Sequence, residues 1–266
     1  MRKALNVFYL ILVLLLIYAP IFTLVLYSFV DAPIVNISEA LKVGFSFELY
    51  KKLFNDAFLM KILWDTLTLA LIVAVLATLL GTLGAIGIFY SKGKFGKGVS
   101  MASRIPVINA EIVTAVSLVL LFAFLLGESR SYFALVVGHL VITTPFVVLS
   151  VIPKLKQMDG NLYEAALDLG ASPFKALIKV VIPEIMSGIL SGFMLSITLS
   201  LDDYIISAYT KPAGFDTIST YVYGAMMKSN VNSSLPALRA MSAIIFVVII
   251  VFVVVQNVIA RKKGAR

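Results

Sequence analysis

Four acidic residues within or beside long apolar runs are the residues of this chain best suited to chemistry. Glu111 stands alone in one run, Asp202 and Asp203 form a pair near the end of another, and Asp65 follows Trp64, the only tryptophan. Carboxylates held away from water attract cations, and an aromatic ring binds an ammonium group through its face. No lysine or arginine compensates these acids inside the runs. The pattern therefore predicts a pathway or site for a small cation rather than for an anion.

Each of these residues also has a structural interpretation, which the sequence leaves open. Asp65 could cap the start of a helix. Adjacent aspartates project about 100° apart on a helix, so at most one of Asp202 and Asp203 is expected to face a common pathway. Tyr204 and Tyr209 could hold an ammonium group, but they equally suit an aromatic belt at a membrane interface.

Composition excludes most other kinds of chemistry. The chain has no cysteine and one histidine, which removes thiolate catalysis, disulfides and cysteine-ligated metals. It contains neither Gly-x-Ser-x-Gly nor His-Glu-x-x-His. We interpret His139 as a packed neutral residue rather than a ligand. We therefore predict no metal site, no cofactor and no enzymatic activity in this chain.

A basic turn at 91–98 resembles a phosphate-binding loop only superficially. It reads Ser-Lys-Gly-Lys-Phe-Gly-Lys-Gly. A Walker A loop needs Gly-x-x-x-x-Gly-Lys followed by Ser or Thr, at the end of a strand. Here Ser91 occupies the position of the first glycine and Gly98 stands where the hydroxyl belongs. The segment is expected to be a basic turn without a nucleotide site.

The elements that position these residues are predicted to be membrane-spanning helices. The 266-residue chain is 61% hydrophobic and 14% charged, with a mean hydropathy of +1.02, whereas soluble domains carry about a quarter charged residues. A helix needs about 20 apolar residues to cross the bilayer core. Six runs are long enough: 4–30, 66–91, 105–127, 131–153, 180–209 and 240–260. We predict an all-α polytopic protein with six transmembrane helices in a single domain, 1–266.

Small residues in the second run predict close helix packing. Gly81, Gly84 and Gly87 recur at spacings that place them near one side of a helix, together with Ala85. Without bulky side chains, another helix backbone can approach such a surface closely.

The basic residues predict the orientation in the cell membrane. The first run is too long for the apolar core of a signal peptide, so it is expected to be retained. With both termini in the cytoplasm, 14 of the 22 Lys and Arg residues fall in cytoplasmic segments and 8 in outer segments, as the positive-inside rule requires. The net charge of +8 is thereby explained by topology, without nucleic acid as a partner.

The same topology leaves three notable loops. Two lie outside, at about 31–61 and 211–238, and one lies in the cytoplasm at about 154–183. Within the first outer loop, the apolar residues of 47–58 recur at helical spacing. They predict a short amphipathic helix on the outer membrane surface, or alternatively a helix that leads into the second span.

The cytoplasmic loop contains the most specific motif in the chain. Glu164-Ala165-Ala166 is followed three residues later by Gly170 and, after nine more, by 180–183, Val-Val-Ile-Pro. Local signals predict two short helices, the first ending at a left-handed Gly170.

Capping residues support the same two-helix prediction. Asp159 or Asn161 can cap the first helix, and Ser172 can cap the second with Pro173 as its first residue.

This loop resembles the corresponding loop of permeases from binding-protein-dependent ABC importers. Their pattern is Glu-Ala-Ala, three residues, Gly, nine residues, then Ile-x-Leu-Pro, and here the spacing is intact with apolar residues replacing apolar ones. The resemblance implies a type I importer permease fold and a coupling helix that docks on a separate ATPase. The implied coupling residues are Glu164, Ala165, Ala166, Gly170, Ser172 and Pro183.

The resemblance also implies partners. They are an ATPase subunit dimer that binds ATP and magnesium, a second homologous permease subunit, an extracytoplasmic substrate-binding protein, and the lipid bilayer. None of the ATP chemistry is expected in this chain.

Further stretches are similar to the spermidine/putrescine branch of that family: 109–117, 138–148, 164–172 and 196–204. The acidic pair after Leu-Ser-Leu in the last stretch is the best indicator of that branch. The similarity implies a polyamine cargo. The candidates for its pathway, which follow from the chemistry of the residues themselves, are Glu111, Asp202, Asp203, Asp65, Trp64 and Tyr204. Where the branch commonly has Ser-Pro before its acidic third-span residue, this chain has Asn109 and Ala110, which leaves a helix break there open.

Two alternative functions stay open at this level. An importer of the same class could carry ferric ion or thiamine. A secondary transporter or channel working alone is the other, although such folds often show two related halves and this sequence has no convincing internal repeat.

Overall fold

The computed structural model describes residues 2–31, 44–91, 94–227, 238–251 and 253–254. All regular elements within these ranges are helices, which confirms the all-α prediction for the described part of the chain. In chain order they are α1 (Arg2–Tyr27), α2 (Glu48–Asn55), α3 (Ala57–Tyr90), α4 (Lys94–Ala102), α5 (Ile105–Ile108), α6 (Glu111–Leu126), α7 (Tyr132–Gln157), α8 (Asn161–Asp168), α9 (Pro173–Glu184), α10 (Met186–Asp202), α11 (Ile205–Thr210), α12 (Ile218–Met227) and α13 (Leu238–Val251).

Among the described residues, three helices are long and apolar enough to cross a membrane unaided, namely α1, α3 and α7. Two further spans result if each of two bent helix pairs is counted as one. The last predicted run is helical over α13, and its continuation at 255–260 lies outside the described residues. The six-span count and the cytoplasmic location of both termini stay predictions.

The bent pairs differ from the continuous helices expected over 105–127 and 180–209. The segments Gly98–Ile108 and Glu111–Leu126 meet at 108°, because Asn109 and Ala110 are extended, with ψ of 148° and 132°. The Asn109 side chain donates a hydrogen bond to Thr114 Oγ1 at 3.2 Å across this break. A helix break in an apolar run is tolerated where side chains satisfy the freed polar groups.

The second bent pair contains two interruptions of the predicted fifth span. Pro173–Glu184 and Met186–Asp202 meet at 72° around the buried Ile185. Before this bend, Leu177–Val181 forms a π-helical turn. A second break at Asp203 and Tyr204 separates α10 from α11.

The described residues form two compact units, with boundaries at Leu63–Trp64 within α3 and at Thr220–Tyr221 within α12. In the unit that contains α1 and α2, Leu49 and Leu53 are fully buried on one side of α2. Lys52 Nζ donates to Asp31 Oδ2 at 2.7 Å.

In the same unit, an aromatic contact and a hydrogen bond join the residues after α1 to α2. The Phe29 ring lies 5.2 Å from that of Tyr50, and the Tyr50 hydroxyl is 2.6 Å from Ser28 Oγ. The predicted amphipathic helix is thus confirmed. Its position on the outer membrane surface stays a prediction.

The other unit is built around α7, which packs against α3 and α10. The fully buried Val147 lies between two glycines of these neighbours. A Cβ at Gly81 would lie 2.6 Å from Val147 Cβ, and one at Gly192 would lie 3.0 Å from Val147 Cα. Close packing at Gly81 is therefore confirmed, whereas Gly84 and Gly87 have no comparably close neighbour.

Candidate coupling loop and acidic pathway residues

The predicted coupling loop folds as two short helices joined by a tight turn. Gly170 follows α8 with φ of 82°, which is left-handed. Its N–H donates to Leu167 O at 2.9 Å, and the N–H of Ala171 donates to Ala166 O at 3.0 Å. These two bonds define a Schellman motif, in which glycine avoids the steric cost of positive φ. The left-handed helix end predicted at Gly170 is confirmed.

The second helix of the loop begins as its sequence predicts. Ser172 Oγ accepts a hydrogen bond from the N–H of Lys175 at 3.4 Å, and Pro173 is the first residue of α9. Before α8, Asp159 Oδ1 accepts from the N–H of Asn161 at 3.0 Å. Asp159 therefore fixes the turn into α8, while Asn161 is the first helical residue.

The loop exposes an acid together with apolar groups. Glu164 and Ala165 are exposed, and Leu169 and Phe174 expose 89% and 73% of their surface. We call these four residues the coupling face. The sequence analysis did not identify Leu169 and Phe174. The signal that could have identified them is the presence of two large apolar residues in a polar loop. An exposed apolar surface of this kind suits contact with another protein.

Of the other predicted coupling residues, Ser172 and Pro183 are exposed and Ala166 is half-buried.

Tyr163 packs α8 against the helices next to it. Its ring centroid is 5.1 Å from that of Tyr90 at the end of α3. Tyr163 also packs against a buried cluster that includes Leu155, Met158 and Val181. The tilted ring contact and the apolar burial hold α8 against the ends of α3, α7 and α9. Sequence reasoning missed Tyr163, although its place beside Glu164 puts it about 100° around the helix.

The two adjacent aspartates have different environments, as their angular separation predicts. Asp202 is the last residue of α10 and is exposed. Asp203 is buried and accepts hydrogen bonds from the N–H groups of Ile206 at 3.2 Å and Ser207 at 2.8 Å. Asp203 thus caps α11. Tyr204, half-buried, occupies the break between the two helices.

His139 is the side-chain partner of Asp203. It is fully buried, as the packed-residue interpretation predicts. Its Nε2 lies 3.5 Å from Asp203 Oδ2 and 3.4 Å from Ser207 Oγ. No sequence signal pointed to this contact, because the two residues belong to different helices.

Asp65 does not cap its helix, and that interpretation is wrong. The helix begins eight residues earlier, at Ala57, where Asp56 Oδ1 accepts from the N–H groups of Phe58 at 2.9 Å and Leu59 at 3.2 Å. Asp65 is half-buried within α3, beside the exposed Trp64. The predicted run began at position 66 because charged residues precede it. The hydropathy pattern therefore did not reveal that the helix begins at Ala57.

Glu111 is exposed and is the first residue of α6. As one continuous span, the predicted run 105–127 would put Glu111 about two turns from its start, and the break at Asn109 and Ala110 corrects this. A carboxylate in the first turn of a helix interacts favourably with the helix dipole. The break forms without the proline common in the polyamine branch.

Segment 217–220 contacts both the Asp65 and the Asp203 regions. The N–H of Ile218 donates to Thr66 Oγ1 at 3.0 Å, and Ser219 Oγ donates to the backbone oxygen of Asp203 at 2.5 Å. The candidates Asp65 and Asp202 therefore each lie one residue from a contact with this segment. Glu111 takes no part in these contacts.

Similarity to known proteins agrees with these features. The family described as "Binding-protein-dependent transport system inner membrane component" matches residues 77–264. The spermidine/putrescine transport system permease protein PotC of Escherichia coli (strain K12) is 34% identical over 220 residues, which are 83% of this chain and 81% of that protein. The putrescine transport system permease protein PotI of the same strain is 31% identical over 231 residues, 84% of this chain and 80% of that protein.

Solved structures share the fold. A chain of a bacterial ABC transporter involved in alginate import superposes with a TM-score of 0.71 at 18% identity, covering 98% of this chain and 95% of that one. A chain of the MetNI methionine ABC transporter gives a TM-score of 0.63 at 17% identity, covering 77% and 95%. The predicted ABC importer permease fold is confirmed, and this chain belongs to the family of binding-protein-dependent transport system inner membrane components.

Proposed function

We propose that this chain is a membrane permease subunit of an ATP-driven importer for polyamines, spermidine or putrescine. The observation that carries the proposal is the similarity to PotC and PotI across more than four-fifths of the chain. Both of those proteins are named as polyamine permeases. The chain itself contributes part of the translocation pathway and performs no covalent chemistry.

The acidic residues support a cationic cargo. Polyamines carry ammonium groups along a flexible alkyl chain, which carboxylates and aromatic rings bind in combination. Asp202 is exposed and Asp65 is half-buried. Trp64 directly precedes Asp65, and Tyr204 lies two residues after Asp202. Glu111 is a further exposed candidate. These residues are proposed as the contributions of this chain to the pathway.

The coupling face supports a separate ATPase partner. It presents Glu164 and Ala165 with two large exposed apolar side chains, while Tyr163 packs α8 against the ends of α3, α7 and α9. In this proposal the face docks on an ATPase subunit, and ATP-driven closure of the ATPase dimer moves α8. ATP and magnesium bind to that partner, and the nucleotide hydrolysis takes place there.

A complete importer also requires a second homologous permease and an extracytoplasmic binding protein. The family description specifies dependence on a binding protein. We assign both termini and the loop at 154–183 to the cytoplasm, and the loops at 31–61 and 211–238 to the outer side, where the binding protein would dock.

Uptake of labelled spermidine tests the proposed cargo. A strain that lacks this gene should lose uptake, and a plasmid-borne wild-type copy should restore it, with unlabelled putrescine as competitor and labelled methionine as the control solute. Unchanged spermidine and putrescine uptake in the deletion strain, with no redundant polyamine system present, would refute the polyamine assignment. The search would then move to other small solutes.

A further inference from the structure

The break between α10 and α11 contains a buried pair of ionisable side chains. The side chains of His139 and Asp203 expose 0% and 2% of their surface, and their Nε2 and Oδ2 atoms are 3.5 Å apart. Both oxygens of the carboxylate also accept backbone N–H bonds from α11. A buried carboxylate is costly unless a positive partner and hydrogen bonds compensate it.

The contacts of the imidazole orient it toward Asp203. Its Nδ1 lies 2.9 Å from the carbonyl oxygen of Leu135, and a carbonyl can only accept, so Nδ1 donates this bond. Its Nε2 thereby faces Asp203 Oδ2 at 3.5 Å and Ser207 Oγ at 3.4 Å. The ring is the side-chain partner of the buried carboxylate.

The surroundings leave little freedom for this pair. Gly138 lets α11 approach α7, because a Cβ there would lie 2.5 Å from Ile206 Cγ2. On the other side, Ser219 Oγ donates to the backbone oxygen of Asp203. Asp203 is therefore held through its side chain by α7 and α11. Segment 217–220 holds it through its backbone.

Asp202, one residue before Asp203, differs from it in burial and in hydrogen bonding. It is exposed at the end of α10, and within the described residues no hydrogen bond or ion pair involves its carboxylate. The direction of its side chain depends on where α10 stops, which the cap at Asp203 determines.

We propose that His139 and Asp203 form a buried positioning pair that fixes the break after α10, and that Asp202 alone of the two aspartates contacts the cargo. Asp203 is thus a positioning residue and not a polyamine ligand. The part that concerns Asp202 rests on the proposed function, whereas the pair itself does not.

Four variants of the full-length protein test this proposal: His139→Leu, Asp203→Asn, the double variant with both changes, and Asp202→Asn. Each is assayed for the thermal transition of the purified protein in detergent and for the KM and maximal rate of spermidine uptake in cells.

The pair predicts an unusual order of stabilities. His139→Leu leaves the buried carboxylate without the polar side chain that faces it, and the transition should fall by on the order of 10 °C. Asp203→Asn removes the buried charge and keeps one of the two cap bonds, since an amide nitrogen cannot accept, so its shift should be smaller than that of His139→Leu. The double variant should regain at least half of the stability and of the maximal rate lost in His139→Leu.

Uptake kinetics separate positioning from binding. Asp202→Asn should raise KM for spermidine about tenfold at an unchanged thermal transition, because a charge-assisted contact is lost. Asp203→Asn should leave the KM for spermidine within about twofold of the wild-type value.

Two results would overturn the proposal: a double variant that is less stable than His139→Leu alone, or a raised KM in Asp203→Asn with Asp202→Asn unaffected. If wild-type cells import no spermidine, the proposed cargo fails, and the stability order still decides the pair by itself.

Discussion

A chain with arginine in place of Glu164 is expected to assemble in the membrane and yet to import almost no cargo. Glu164 is exposed on the coupling face, and within the described residues no hydrogen bond or ion pair involves it. The substitution should therefore leave the fold intact. A reversed charge at a docking surface costs several kcal/mol, and each ~1.4 kcal/mol is tenfold in affinity. Uptake should fall by about a hundredfold or more.

The measurement pairs uptake with recovery of the ATPase on an affinity-tagged chain. Glu128→Arg is the matched control, since Glu128 is an exposed glutamate outside the coupling loop, and it should keep most of the uptake. Normal uptake with a bound ATPase in Glu164→Arg would contradict the role given to the coupling face.

Valine in place of Gly81 is expected to destabilise the helix packing around Val147 severely. A Cβ at this position would lie 2.6 Å from the Cβ of Val147, a stiff side chain that is also pressed against Gly192. Overpacking a core costs about 1–3 kcal/mol and sometimes more, and ~1 kcal/mol shifts the thermal transition by about 2–4 °C in a chain of this size. The transition of the purified protein should fall by on the order of 10 °C.

Gly87→Val provides the matched control for Gly81→Val. Gly87 lies in the same helix, and a Cβ there has no neighbour within 4 Å. Both variants change the helix propensity of α3 in the same way, so their difference isolates the contact with Val147. Equal thermal transitions in detergent for the two variants would show that Gly81 is not a point of close packing.

The coupling loop was predictable from sequence because its signals are local. The left-handed end at Gly170 and the cap at Ser172 with Pro173 each depend on residues within one helical turn. Spacing over 164–183 then linked these features to a known family.

The helix breaks and the acidic environments were less predictable, for physical reasons. Hydropathy cannot reveal the bend at Asn109 and Ala110, because small or apolar residues continue through it. Asp56 and Asp65 are both plausible caps, and the choice depends on where the helix starts.

The partner of Asp203 required the fold. His139 lies on α7, and only the packing of α11 against α7 brings the two side chains together. The 100° separation of adjacent helical residues correctly predicted that Asp202 and Asp203 would differ, but not which one would be buried.

Reconstitution of the complete importer would establish whether this chain carries spermidine in an ATP-driven assembly. The tagged chain would be purified with its associated subunits and inserted into liposomes, with ATP inside and the cognate binding protein and labelled spermidine outside. We expect accumulation that requires ATP, the binding protein and the ATPase, and that disappears with Glu164→Arg. Spermidine accumulation by this chain alone, without ATP or an ATPase, would contradict this expectation and would favour a secondary transporter.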